Sequence, residues 1–534
     1  MTPINDLQKL NNLGSEIGLI IGNFDGFHLA HKSLVKNFVT ACKLQNLVPV
    51  ALTFSPHPHV YFSGDDADYL LSPMQDKYDC LSENGVENIV SIKFSRSIQQ
   101  LSAECFIKDH LFSCSNLKYI HLGHDFRLGC GKEDATDLLK NLSHDKNISL
   151  YFEDTFFINS QAVSSSLIRD LIKTRIKDVE NLLGRQYSLK GKVIKGKGIG
   201  AKELLPTANL SYDHNRIIPS VGVYISRTRY KGKYYESVTN IGHNPTVNEE
   251  KKLTVETYLL FFSKNIYDEE IEVFFIDKIR GEKKFSSFFD LKKQIFKDVE
   301  NTKIYFRNLS PFKLALIGKN ISHSKSQMVY EKLFAQCVNY TLIDCELEKD
   351  IPKACDLLDL YQGVSITAPY KEHFSCYLAD KKSQFSIVNT LYREEDKIYS
   401  TNTDSLAIRN ILESYIAEGV GKIILLGDGC MSKITEDHTR DLGISCVVLS
   451  RRNGELRNIN QYLIGDLTNT LVINSCSRVY EYNGKNDVLY YFWDMNYLLP
   501  HHQKYFLNTP IVYQDGMELL ELQAKYALKC WNLK

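Results

Sequence analysis

The run Gly22-Asn23-Phe24-Asp25-Gly26-Phe27-His28-Leu29-Ala30-His31 follows directly on the apolar stretch Gly18-Leu19-Ile20-Ile21. The apolar stretch reads as a buried strand, the glycines as a tight turn and the histidines as the opening of a helix. Strand, turn and helix start in this order can hold nucleotide phosphates, because the first amides of a helix lack internal partners and its dipole favours an anion. ATP is therefore the expected ligand. Taken alone, His28 and His31, one helical turn apart, would equally serve to solvate a helix start.

At 534 residues the chain exceeds what one core holds, and ordinary domain sizes predict roughly three to four domains. Lys and Arg total 64 and Asp and Glu total 64, so no net field draws a polyanion and nucleic acid is not an expected partner. The 13 cysteines include no Cys-x-x-Cys spacing, and an odd, scattered set points to a reducing cytoplasm. Met1 to Leu10 lacks a basic start followed by an apolar core, and no apolar run approaches the ~20 residues that span a bilayer. The expectation is a soluble chain with no membrane partner. Oligomeric state leaves no sequence signal.

The first third alternates apolar strands such as Leu47-Val48-Pro49-Val50-Ala51-Leu52-Thr53-Phe54 with helical stretches, which predicts a parallel sheet covered by helices. From about Gly191 to Ile276 the texture changes to β-branched and aromatic runs, including Gly222-Val223-Tyr224-Ile225-Ser226 and Ile271-Glu272-Val273-Phe274-Phe275. Strands without intervening helices predict a small barrel. A helical pattern around Phe285 to Phe306 closes this part, and Asn308-Leu309-Ser310-Pro311 reads as a boundary because proline rarely continues a helix. The strands Lys313-Leu314-Ala315-Leu316-Ile317-Gly318 and Ile423-Ile424-Leu425-Leu426-Gly427 then open two further α/β units.

Besides the glycine-histidine run, the chain carries Thr53-Phe54-Ser55-Pro56-His57-Pro58, Gly123-His124-Asp125-Phe126-Arg127-Leu128-Gly129 and Val163-Ser164-Ser165-Ser166-Leu167-Ile168-Arg169. These motifs, in this order, resemble the bifunctional riboflavin kinase and FMN adenylyltransferase family, also called bacterial FAD synthetase. The resemblance implies a Rossmann-like nucleotidyltransferase domain over 1–183, with His28, His31, Ser164, Ser165 and Arg169 around ATP. Ala30 stands where that family has glycine in its H-x-G-H motif, adding a methyl group where backbone and nucleotide approach.

Pro206-Thr207-Ala208-Asn209 follows the glycine-rich Gly196-Lys197-Gly198-Ile199-Gly200, and alone it would read as a polar loop. With Gly222-Val223-Tyr224, Asn240-Ile241-Gly242-His243-Asn244-Pro245-Thr246 and Val255-Glu256-Thr257, it resembles the family's riboflavin kinase module, over 184–308. That resemblance implies Thr207 and Asn209 as binders of Mg2+ and ATP phosphates, with hard oxygen donors suited to that ion. It implies Glu256 as general base toward the riboflavin hydroxyl. Leu204-Leu205 replaces the family's Gly-Phe pair.

The rest of the chain carries Ile321-Ser322-His323-Ser324-Lys325-Ser326, Gly363-Val364-Ser365-Ile366-Thr367-Ala368-Pro369-Tyr370-Lys371, Val388-Asn389-Thr390 and Asn402-Thr403-Asp404, and later Asp494-Met495-Asn496-Tyr497 and Gly516-Met517-Glu518-Leu519-Leu520-Glu521-Leu522-Gln523. This order resembles shikimate dehydrogenase. It implies a two-domain α/β enzyme: a substrate-binding domain over 309–407, a Rossmann-type NADP half over 408–510, and a segment over 511–534 that returns to the substrate domain. By that resemblance Ser324, Ser326, Thr367, Asn389, Tyr497 and Gln523 contact shikimate or 3-dehydroshikimate, and Lys371 and Asp404 form the catalytic pair. Gly427, Gly429, Arg451, Arg452 and Gly516 fall to the cofactor, the guanidiniums suiting the 2'-phosphate of NADP.

The cofactor half departs from its family at Cys430, where a third glycine is expected, at Ser450-Arg451-Arg452 in place of Asn-Arg-Thr, and after Asn474-Ser475-Cys476-Ser477, where a glycine is missing. Two readings stay open at the level of sequence. The dehydrogenase is active with a modified NADP site, or the domain is a binding or structural appendage of an FAD synthetase.

Overall fold

The structure, a computed structural model, describes residues 3–64, 68–124, 126–129, 135–196, 205–243, 253–378, 386–450, 454–476, 478–497 and 499–533. Among the described residues it is a mixed α/β, multidomain architecture of three five-stranded open sheets, a two-stranded ribbon and a closed barrel. The chain divides into two compact units, Met1–Thr302 and Lys303–Lys534.

The first unit opens on β1 (Ile17–Ile21), α1 (Leu29–Leu44) and β2 (Val48–Ser55), followed by α2 (Met74–Glu83), β3 (Asn88–Lys93), β4 (Leu117–Gly123) and β5 (Ser149–Glu153). The five strands form one parallel sheet in the order β3-β2-β1-β4-β5. Every residue of β1 is buried, as expected of a central parallel strand covered on both faces. Helix α1 buries Val35, Phe38, Val39 and Cys42, a three-and-four spacing that presents one apolar stripe to the sheet.

Helix α3 (Ser165–Thr174) leads into β6 (Tyr187–Ile194), β7 (Ala208–Tyr212), β8 (Gly222–Tyr230), β9 (Lys233–His243), β10 (Leu253–Leu259) and β11 (Glu270–Arg280). These close an antiparallel barrel in the order β8-β9-β10-β7-β6-β11. Ile168, Leu171 and Ile172 of α3 share one apolar cluster with Tyr187, Leu189, Val273 and Phe275 of the barrel. Arg216 adds polar ties, donating to the carbonyls of Leu70, Leu71 and Ser188 at 3.2, 2.9 and 2.9 Å. Helix α4 (Phe288–Leu309) follows, a few residues downstream of the span expected from the apolar pattern.

In the second unit, β12 (Lys313–Gly318), α5 (Ser326–Phe334), β13 (Asn339–Asp344), β14 (Gly363–Ile366), β15 (Thr390–Glu394) and β16 (Lys397–Thr401) give a mixed sheet in the order β13-β12-β14-β15-β16. Helix α6 (Thr403–Ala417) leads to β17 (Lys422–Leu426), α7 (Cys430–Asp441), β18 (Ser445–Leu449), β19 (Thr470–Asn474), β20 (Tyr491–Asp494) and β21 (Val512–Gln514). Those strands form a parallel sheet in the order β18-β17-β19-β20-β21. The last helix, α8 (Met517–Cys530), packs on α5 and α6. Trp531 then closes on the first sheet of this unit, its indole donating to the Leu391 carbonyl at 3.0 Å.

Candidate functional site

The expected residues fall into three groups. In the first, the chain leaves β1 through a turn in which Phe24, Gly26 and Phe27 all have positive φ, at 48°, 79° and 39°. Left-handed backbone at two phenylalanines is costly and is held only where surroundings over-determine it. At Gly26 a side chain is also barred by space, since a Cβ would lie 2.8 Å from Leu71.

The surroundings converge on Asp25. Its buried carboxylate accepts the amides of Leu71 and Ser72 at 3.0 and 3.3 Å and pairs with the Arg169 guanidinium at 2.5 Å. Arg169 also donates to the Tyr69 carbonyl at 2.9 Å and lies 3.6 Å over the Tyr69 ring. His28 caps α1, its ring nitrogen accepting the His31 amide at 3.4 Å, and its other nitrogen pairs with Ser165 Oγ at 3.1 Å. Ser165 donates in turn to the Asp25 carbonyl, and Ser164 caps α3 by accepting the Leu167 amide. The His28 and His31 rings stack at 3.7 Å, and His31 Nδ1 is buried without a hydrogen-bond partner among the described residues. The structure thus brings His28, His31, Ser164, Ser165 and Arg169 to one turn. Asp25 was missed from the sequence, although it stands inside the glycine-histidine run.

Burial holds several imidazoles here neutral. The His57 ring is pressed down to about 4 by burial, against the opposing pull of Asp25. His31 lies well below its ordinary value through burial and then the positive charge of His28, Lys77 and Arg169. His121, buried under α1 between Tyr119 and Glu153, is lowered by burial although Glu153 pulls the other way. A histidine lowered in the folded state stabilises it fully above its unfolded value of about 6.5, and that contribution is lost as pH falls below it. We expect the first unit to lose stability between pH 6.5 and 4, by about 1.4 kcal/mol per pH unit for each imidazole kept neutral. Hydrogen exchange of the Ile17–Ile21 amides at pH 7 and pH 5 checks this; equal protection at the two values would contradict it.

The second group lies on the barrel. Glu256 of β10 stands directly opposite Asn209 of β7 and Asn240 of β9 in the strand register, so the three side chains share one face, each asparagine within ~5.5 Å of Glu256 at Cβ. Thr207 immediately precedes β7. A Cβ on Gly196 would lie 2.5 Å from the Asn209 amide, so the glycine-rich segment begins against that side chain. Burial raises the Glu256 carboxyl above its ordinary value, which makes it a stronger base. On the opposite face of β10, Thr257 belongs to a chain of buried hydroxyls with Thr239, Ser226, Ser237 and Thr228, at 2.7–3.4 Å. The Thr207 hydroxyl and the Asn209 carbonyl are hard donors beside a carboxylate, a set that fits Mg2+.

In the third group, Lys371 Nζ donates to Asp404 Oδ2 at 2.6 Å. Burial works against the ammonium, but Asp404 outweighs it and the lysine is raised above its ordinary value. Asn389, on the strand side, accepts the Thr403 amide at 2.7 Å, and Thr403 Oγ1 reaches Gln523 at 3.3 Å. Ser324 donates to Ser326 at 3.1 Å. Thr367 is held by its amide on the Ile317 carbonyl, and the Tyr497 ring lies 4.7 Å from the Arg478 guanidinium. Gly516 opens α8, its amide on the Asn496 carbonyl at 2.9 Å.

The cofactor turn is more crowded. Gly427 has φ of 111°, and a Cβ there would lie 2.7 Å from Ser475 Oγ. Gly429 caps α7, and among the described residues no side chain caps its first amides, which fits the pyrophosphate of a dinucleotide. Met431 Sδ, however, lies 3.9 Å from Lys371 Nζ. Arg451 and Arg452 lie outside the described residues, as do Gly198, Gly200, Leu204, Asn244, Pro245, Thr246 and Ser477. Among the described residues no helix is long and apolar enough to cross a membrane.

The FAD synthetase family profile matches residues 12–167 and the riboflavin kinase profile residues 183–306. A bifunctional riboflavin kinase/FMN adenylyltransferase of Haemophilus influenzae is 36% identical over 312 residues, 58% of this chain and 100% of the relative. The Escherichia coli K12 protein of that name is 31% identical over 55% of this chain and 94% of its own length. A solved structure from Streptococcus pneumoniae, called a macrolide-efflux protein, is 28% identical over 57% of this chain and 98% of its own, with a TM-score of 0.50. A shikimate dehydrogenase from Peptoclostridium difficile is 21% identical over 42% of this chain and 92% of its own, with a TM-score of 0.33.

Proposed function

The chain belongs to the bifunctional riboflavin kinase/FMN adenylyltransferase family, and we propose that its first unit runs the two reactions at two separate sets of residues. Riboflavin becomes FMN on the barrel, and FMN becomes FAD at the Gly22–Gly26 turn. For the kinase step, Glu256 takes the proton of the ribityl hydroxyl as the γ-phosphoryl group transfers; Thr207 and Asn209 would hold Mg2+, which would offset charge on the phosphates. The observation that carries this role is the register, which sets Glu256 opposite Asn209.

For the adenylyl step, an FMN phosphate oxygen attacks the α-phosphorus of ATP and pyrophosphate leaves. Little covalent help is needed, so positioning by His28, His31, Ser164 and Ser165 and the charge of Arg169 carry the step. Their convergence through Ser165 and Asp25 supports that assignment. Purified chain given riboflavin, ATP and Mg2+ yields FMN and then FAD; absence of both products from folded protein sinks the reading. Its scattered free cysteines favour work in a reducing cytoplasm.

For the second unit the reading is reduction of 3-dehydroshikimate to shikimate. NADPH, when bound, supplies the hydride. Lys371 donates a proton to the carbonyl oxygen as negative charge develops, and Asp404 keeps the lysine charged and oriented. The 2.6 Å pair inside two matching motifs supports this. The reading of a binding or structural appendage is favoured by one observation, the Met431 side chain beside Lys371. Calorimetric titration with NADP+ and separately with shikimate distinguishes the two: an active enzyme binds both, an appendage binds shikimate alone or neither.

A further inference from the structure

Beside the Gly22–Gly26 turn lies a buried lysine that, among the described residues, has no carboxylate of its own. Lys77, on α2, is only 4% exposed, and its one hydrogen bond among the described residues goes from Nζ to Thr53 Oγ1 at 3.0 Å. Thr53 follows Leu52, whose carbonyl accepts the Gly22 amide at 3.1 Å. The ammonium therefore sits where β1 and β2 end, the edge of a parallel sheet at which nucleotides bind.

The same helix is tied to the turn from its start, since Ser72 Oγ accepts the Gly26 amide at 3.1 Å while Leu71 and Ser72 donate to Asp25. The charges nearby do not cancel. Asp25 is already matched by Arg169 at 2.5 Å, so Asp25, Arg169 and Lys77 together leave one surplus positive charge in a place nearly closed to water. An ammonium has three donors, and burying it without a counter-ion is strongly unfavourable. Burial presses Lys77 down to about 8, with Asp25 opposing. The unpartnered His31 Nδ1 marks a second polar group left unsatisfied at the same turn. An anion arriving at the turn would relieve the ammonium, and His31 Nδ1 as well in the tautomer that carries its proton there.

We propose that Lys77 is a positioning residue for adenylyl transfer, a second cation that draws the phosphate chain of ATP onto the Gly22–Gly26 turn and holds it there through the field at Thr53. This rests on reading the turn as the ATP site. Among the described residues the ionisable groups that act on or feel Lys77 are Asp25 from the turn, His31 from α1 and His57 from the segment after β2, with Arg169 of α3 held on Asp25. Asp25 is the one anion among them.

The test uses the full chain as wild type, Lys77→Met, Lys77→Arg and His31→Ala. FAD formation from FMN and FMN formation from riboflavin are measured on the same preparations, so the barrel reaction reports folding. Lys77→Met is expected to lower kcat/KM for ATP in FAD formation roughly 30- to 100-fold, with FMN formation within about twofold of wild type. In the wild type that kcat/KM declines above pH of about 8, as Lys77 loses its proton. Lys77→Arg, which stays charged, recovers much of the rate and removes the decline. Unchanged FAD formation in Lys77→Met, a parallel loss of both reactions, or a persisting decline in Lys77→Arg each overturns the role of Lys77. Full FAD formation by His31→Ala overturns the reading of the turn itself, and the inference with it.

Discussion

Glu256→Gln should reduce riboflavin phosphorylation by roughly 10²- to 10⁴-fold, the range a general base supplies, while FAD formation from added FMN continues at the wild-type rate. The substitution keeps the side-chain volume and the register opposite Asn209 and Asn240. What it removes is the ability to take a proton. Because burial raises the Glu256 carboxyl, the wild-type kinase should lose activity on acidification at a pH above the ordinary glutamate range. The base works only when deprotonated, so rate rises with pH through that value, and the residual activity of Glu256→Gln should lack this limb. Chromatographic separation of riboflavin, FMN and FAD reads both reactions in one experiment. If Glu256 were a solvated strand carboxylate, phosphorylation would survive the change within a few-fold. A parallel loss of FAD formation from FMN would instead indicate damage to the fold.

What the sequence made visible and what it hid divide along the range of the contacts involved. The turn after β1 is legible because a buried strand, two glycines and a capping histidine are local features, each acting within a few residues. The barrel is legible as strands, but not the pairing of Glu256 with Asn209, since register between segments far apart in sequence depends on closure of the whole sheet. Asp25 illustrates the harder case. An acidic residue inside a phosphate cradle looks adverse until its partners are known, and those are the amides of Leu71 and Ser72 and the guanidinium of Arg169. Lys77 carried no sequence signal at all, because a lysine in a helix is usually solvated; only the contact with Thr53 shows that this one is buried. Arg169 was expected at ATP, and its guanidinium here lies between Asp25 and Tyr69.

In the second unit, Lys371→Ala should lower NADP+ reduction with shikimate by roughly 10³-fold, the order expected on removing a proton donor aimed at the reacting oxygen. The ion pair with Asp404 at 2.6 Å both keeps the ammonium charged and fixes its direction, so the loss should appear mainly in kcat. Alanine also strands the largely buried Asp404 carboxylate, which destabilises the unit by leaving an unmatched charge. Lys371→Ala,Asp404→Asn removes both charges and separates the two effects: stability returns, hydride transfer does not. Met431, whose sulfur lies 3.9 Å from the same ammonium, is the side chain expected to limit turnover on the proposed reading, since a dinucleotide seated on the amides at the start of α7 would share that space. Met431→Ala, with Cys430→Gly at the position before it, should therefore lower KM for NADP+ while leaving shikimate affinity unchanged. An unchanged or raised KM would mean that these side chains are not what crowds the cofactor. A wild type that binds shikimate yet transfers no hydride, before and after Met431→Ala, would leave the unit as a binding appendage in which Lys371 and Asp404 hold a ligand without reducing it.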